Sequence, residues 1–122
     1  MKKKICILFF LSMFSLLSFG SPERIQMSDP DLQHNHHDLP IPADQPDVYY
    51  DDDTQEVIID GTGYVYYYDV EIASVATWNN IIITQVNGAY DTIDVSSLSA
   101  GEYCITIYSP TGNDFVGFFL IE

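Results

Sequence analysis

Residues 98–107 read Leu98-Ser99-Ala100-Gly101-Glu102-Tyr103-Cys104-Ile105-Thr106-Ile107, and this stretch decides the fold class. Tyr103, Ile105 and Ile107 alternate with Cys104, Thr106 and Tyr108, so one side of an extended chain is apolar and the other mixed. Ser99-Ala100-Gly101 ahead of it is a turn signal. The same texture continues in both directions. Val65–Ala73 places Tyr66, Tyr68, Val70 and Ile72 on one side and Tyr67, Asp69 and Glu71 on the other, which predicts a core face and a solvent face. Further strands are predicted at Val48–Tyr50, Gln55–Asp60, Asn80–Val86, Tyr90–Val95, Tyr103–Tyr108 and Asp114–Ile121. Asp51-Asp52-Asp53, Asp60-Gly61-Thr62-Gly63, Asn87-Gly88 and Ser109-Pro110-Thr111-Gly112-Asn113 punctuate them. No segment sustains a helical period. The expectation is an all-β sandwich or barrel of about seven strands over residues 48–122.

The final strand stands apart. If Phe115, Phe119 and Ile121 face inward, then Val116, Phe118 and Leu120 face outward, and both sides are apolar. Such a strand is either central and covered, or it leaves a sticky edge suited to self-association.

Ahead of the β region the chain changes character twice. Lys2, Lys3 and Lys4 precede an apolar run from Ile5 to Leu17, and Ser18-Phe19-Gly20 sets small residues before the Gly20–Ser21 bond. Charge, short apolar core and small-x-small site predict a cleaved secretory signal peptide over residues 1–20. A membrane-spanning helix needs about 20 apolar residues, more than this run supplies. Residues 21–47 form a second region, an arm rich in Pro, His and Asp that holds Pro22, Pro30, Pro40, Pro42 and Pro46. Proline at that density excludes helix. Glu23-Arg24-Ile25-Gln26-Met27 retains the alternation of a short edge strand.

Cleavage would leave Arg24 as the one basic residue against eighteen Asp and Glu, a formal charge of −17 in place of −14. Phosphate binding depends on Lys and Arg, so nucleic acid is excluded as a partner, and docking to an anionic bilayer is disfavoured. Cys104 would be the remaining cysteine, so the domain must hold together by packing and without an intrachain disulfide. Secretion or a periplasmic location follows, with no membrane insertion after the signal is removed.

The stretch Leu98 to Ile107 resembles the L-x-x-G-x-Y-x-I-x-I pattern of immunoglobulin-like sandwiches, which implies that Tyr103 ties down the corner that Gly101 turns. Ile105 occupies the place of the antibody-type cysteine, and Cys104 lies one position early on the opposite face. The whole layout resembles a family of small secreted Bacteroides-type proteins, a domain of unknown function with an immunoglobulin-like antiparallel β-sandwich. Arg24-Ile25-Gln26-Met27, Pro40-Ile41-Pro42, the late G-x-Y-x-I-x-I and Gly117-Phe118-Phe119-Leu120-Ile121 carry that resemblance. It implies a fold and no known activity. Sorting domains of the gliding-bacteria export route share the late pattern but end in basic residues, which this chain lacks.

Three constellations are candidates for chemistry. His34, His36 and His37 among Asp29, Asp31 and Asp38 offer zinc or copper ligands, with His34 and His36 on one side of an extended chain. Their spacing fits no closed zinc site, and a solvated acidic linker is the plainer explanation. Asp51, Asp52 and Asp53, with Asp44 and Asp47 nearby, offer calcium oxygens, but Glu56 and Thr62 stand where an EF-hand needs Gly and Glu, and a turn accounts for three Asp. Hence no cofactor is expected, with calcium or zinc as the metals these clusters would take. Tyr64, Tyr67 and Trp78 are the candidate ligand platform, with Tyr66 and Tyr68 assigned to the core.

The β region contains no His, no G-x-S-x-G elbow and no phosphate loop. The expectation is a secreted, non-enzymatic binding or accessory protein with an unidentified protein or glycan partner. Mass spectrometry of the protein released by an expressing bacterium should find Ser21 as its first residue. An intact Met1 on the released protein would refute the cleavage.

Overall fold

The computed structural model describes residues 22–29 and 41–122. The leader and the His34, His36 and His37 cluster lie outside the described residues. Eight antiparallel strands run in chain order as β1 (Glu23–Ile25), β2 (Asp47–Asp51), β3 (Glu56–Asp60), β4 (Tyr67–Ser74), β5 (Asn80–Asn87), β6 (Asp91–Asp94), β7 (Gly101–Tyr108) and β8 (Asp114–Ile121). They form two four-stranded sheets, ordered β1-β2-β3-β6 and β5-β4-β7-β8. Among the described residues no helix is long and apolar enough to cross a membrane.

Period-two alternation puts the core between the sheets. Val48 and Tyr50, Val57 and Ile59, Ile93 and Val95 face Tyr68, Val70, Ile72, Tyr103, Ile105, Ile107, Phe115, Phe119 and Ile121. Phe119 lies between the layers, with ring centroids 5.4 Å from Tyr50 and 5.7 Å from Tyr103. The Tyr103 hydroxyl donates to the Ser99 carbonyl at 2.6 Å and closes the corner before β7. Gly101 adopts φ 151°, a conformation that a side chain would disfavour.

The described parts of the Pro-rich region are built into the sandwich. β1 pairs with β2, and Ile25 and Met27 reach the core. One turn later Ser28 leaves that sheet and exchanges two backbone hydrogen bonds with Val116 on the opposite sheet, at 3.0 and 2.9 Å. The chain can make this crossing because Gly117 stands beneath it. A β-carbon there would meet the Met27 sulfur at 2.5 Å, Ile25 Cγ2 at 2.8 Å and the Gln26 carbonyl at 2.9 Å.

Tyr66 corrects the sequence expectation. It was assigned to the core by extending the β4 alternation backwards, yet it is 94% exposed. The regular strand begins only at Tyr67. Residues 63–66 bend, the Tyr66 carbonyl accepts from Gly88 N–H at 2.9 Å, and Val65 turns inward instead. Tyr68 is core and Tyr67 faces out, as the alternation within the strand requires.

Gly117→Ala should lower stability by about 1–3 kcal/mol, because backbone and packed side chains must move to admit one methyl group. Urea unfolding checks this, and an unchanged midpoint would contradict the crossing.

Candidate functional site

Strand register sorts the loops into two ends. At one end lie residues 41–46, the β3–β4 loop (61–66), the β5–β6 turn (88–90) and the β7–β8 turn (109–113). The pairings Asp47 with Asp60, Tyr67 with Asn87 and Tyr108 with Asp114 place them together. The other end holds the Asp51–Gln55 turn, the 75–79 loop and the 95–100 corner.

The first end carries Tyr64, Tyr66, Tyr67 and Tyr90, all exposed. Two loops present Tyr64, Tyr66 and Tyr90, with Tyr67 at the start of β4, and the loops are locked to each other through backbone. Gly63 N–H donates to the Gly88 carbonyl at 3.3 Å, while Gly88 N–H donates to Tyr66. A β-carbon on Gly61 would collide with the Gly88 carbonyl, and one on Gly88 with the Val65 carbonyl. Only glycine permits so close an approach. The Asn87 side chain then accepts from Ala89 N–H at 2.7 Å and Tyr90 N–H at 3.4 Å, which sets the turn that carries Tyr90.

Beneath this surface sits a polar anchor. Asp44 is 3% exposed. Its carboxylate accepts from the Thr111 hydroxyl and from Asn113 Nδ2 at 3.0 and 3.3 Å. Its carbonyl accepts the buried Tyr68 hydroxyl at 2.7 Å. Burial pushes the Asp44 carboxyl up, but hydrogen bonds from Ser109, Thr111 and Asn113 outweigh it and hold the pKa below the usual value. Burial raises the Tyr68 hydroxyl to about 12, with the Asp44 charge adding to it, so it stays a donor. Among the described residues no buried side-chain polar atom lacks a partner.

Sequence reasoning found part of this end and missed the rest. Tyr64 and Tyr67 are here, but Trp78 is not. Trp78 is exposed in the 75–79 loop at the far end of β4, an eight-residue strand of roughly 23 Å. There its N–H donates to the Ser74 carbonyl at 2.6 Å and its φ is 57°. Tyr66 and Tyr90 were missed as platform residues. Asp44, grouped by sequence with the Asp51–Asp53 turn, is instead buried at this end, and its anchoring role carried no local signal because its partners lie 67 and 69 residues away.

The Asp turn is likewise at the far end. Asp51 Oδ1 accepts from Asp53 N–H at 2.9 Å and Thr54 N–H at 3.4 Å, so it caps its own turn. Asp52 accepts from the Tyr50 hydroxyl at 3.3 Å. Among the described residues, no three His, Cys, Asp or Glu side chains come together as a metal site. Cys104 is buried on the outer face of its sheet, and burial pushes its thiol up in pKa.

In β-sheet layout the chain is similar to a crystal structure of a DUF3244 family protein with an immunoglobulin-like β-sandwich fold from Bacteroides vulgatus. The match has a TM-score of 0.65 over 84% of this chain and 100% of that one, at 15% identity. The fold is an immunoglobulin-like β-sandwich. No protein-family model and no curated protein matches the chain. At that identity the likeness speaks for architecture.

Asp44→Ala should cost about 1–3 kcal/mol near neutral pH, because Thr111 and Asn113 lose their acceptor. A depressed folded pKa contributes stability that is present above the unfolded value of about 4 and lost as pH falls through the folded one. The gap between wild type and variant should therefore narrow below about pH 4 in pH-resolved thermal melts. A gap that is independent of pH would contradict this role.

Proposed function

We propose that this chain is an exported, non-catalytic binding module that receives a neutral glycan at its tyrosine-bearing end. One observation carries the reading: Tyr64, Tyr66 and Tyr90 are displayed on two loops that glycine contacts hold in fixed relation, beside Tyr67 at the start of β4. Several exposed aromatic rings gathered at one end are the kind of surface that marks a ligand site, and Tyr66, 94% exposed, packs against almost nothing of its own chain. Tyrosine combines a flat apolar face with a polar tip, which suits the C–H face and hydroxyls of a sugar. Preorganised loops reduce the entropy lost on binding.

Charge supports a neutral ligand. Arg24, the one basic side chain in the described residues, is already paired with Asp47 at 2.7 Å. An anionic sugar or phosphate would have to compete with Asp47 for that single counter-charge. Export rests on the leader pattern of residues 1–20, and the non-catalytic reading on the lack of a nucleophile–base pair at this end.

A glycan array followed by calorimetry tests this. Tyr64→Ala and Tyr66→Ala should each weaken binding about three- to tenfold. Melting temperature should stay unchanged in both, and Trp78→Ala should bind like wild type. Binding that survives both tyrosine changes, or that Trp78→Ala removes, would refute the assignment. So would turnover of any glycan on the array.

A further inference from the structure

A sandwich of two open sheets has four edges, and three of them here are guarded. β1 carries Glu23 and Arg24, and β6 carries Asp91 and Asp94. β8 carries Asp114, and Ser28 occupies its edge at Val116. Charges and covering segments are the usual means of blocking unwanted strand addition. The fourth edge is β5, Asn80-Ile81-Ile82-Ile83-Thr84-Gln85-Val86-Asn87. It is the one strand of the eight with no charged residue, and it contains neither Pro nor Gly. Ile83 is 70% exposed and Ile81 is 47% exposed.

Its backbone is available too. Asn87 N–H donates to Asp91 Oδ2 at 2.9 Å, so it does not bond Tyr67 across the β4 ladder. Alternation then makes Gln85–Asp69 and Ile83–Glu71 non-hydrogen-bonded pairs, with the N–H and C=O of Ile83 and Gln85 directed away from β4. No described strand pairs with that side.

We infer that β5 pairs antiparallel with β5 of a second copy about a twofold axis near Ile83, joining the two β5-β4-β7-β8 sheets into one. Charge selects this partner. Two strongly acidic copies repel at any face that carries carboxylates, and the uncharged edge is where they can meet. Across the axis Glu71 on β4, level with Ile83, would face its symmetry mate three strand spacings away, about 14 Å and beyond a Debye length of about 8 Å, while Asp91, which accepts the outward Asn87 N–H, marks one end of the pairing stretch. A basic partner would be drawn instead to the acidic faces. Pairing also covers Ile83 with its symmetry mate and satisfies the free groups of Ile83 and Gln85 on both copies. The contact is a single strand pair, so the dimer is weak and dependent on concentration.

Sedimentation equilibrium of protein expressed from the full-length sequence tests this, over roughly a hundredfold range of concentration. Measurements at about 50 mM and about 500 mM NaCl compare two screening regimes. The expected result is a monomer–dimer equilibrium whose association constant rises at least about threefold at the higher salt, because screening relieves repulsion. Ile83→Lys sets like charges across the axis, and Gln85→Pro removes an outward N–H that the monomer does not use. Each should reduce association at least about tenfold with the melting temperature retained. A monomer under all conditions would overturn the inference. So would a dimer that survives both β5 variants, or one abolished by Leu120→Lys on β8 but not by Ile83→Lys.

Discussion

The buried Tyr68 hydroxyl and the Asp44 carbonyl it reaches form the joint on which the molecule is assembled. Nothing covalent joins the sheets: Cys104 is the one cysteine among the described residues, and it faces outward. The first sheet must therefore be held to the second by packed side chains and by a few long-range polar contacts. Asp44 makes the densest set of these. Its backbone holds β4 through Tyr68, and its carboxylate holds the β7–β8 turn through Thr111 and Asn113. A carboxylate in that position would be costly if left without donors; three side chains offset the loss of water. Fixing residues 44–46 also aligns the start of β2, where Val48 enters the core.

Close backbone approach is the second constraint, and it shapes the surface. Gly117 lets residues 25–28 cross from one sheet to the other, which seals the open side of the sandwich near β8. Gly61 and Gly88 press two loops together, and the tyrosines they carry stand exposed. The same economy of contacts leaves one edge unused. β5 lies at the side of its sheet that the N-terminal segment does not cover, and the strand itself carries no charge. The proposed ligand end and the proposed dimer edge are thus separate surfaces, one made by loops and the other by a strand.

Much of the architecture was legible because strand formation is local and periodic. Residues 98–107 displayed alternation, turn and corner tyrosine within ten positions, and the inward sets Val70 and Ile72, Ile93 and Val95, Tyr103, Ile105 and Ile107 follow from a period of two. The sequence also announced that the last strand was apolar on both faces, and it is an edge strand with Phe118 and Leu120 exposed. Gly117 in the middle of an apolar strand was a legible sign of close approach that composition alone did not interpret. Tyr66 failed for a definable reason. Periodicity holds only while the chain stays extended, and the bend over residues 63–66 is imposed by Gly88, more than twenty residues later.

The sequence by itself determined the strands, their inward faces, the acidity of the surface and the need to fold without a disulfide. Each of these depends on composition or on neighbours two residues apart. Tertiary structure alone decided that Tyr64, Tyr66, Tyr67 and Tyr90 share one end while Trp78 sits at the other, and that Asp44 is buried among Tyr68, Thr111 and Asn113. It also decided which strand was left as the unguarded edge. Those outcomes depend on which strands become neighbours, and pairing between distant segments is set by the packing of the whole core, which no local pattern encodes.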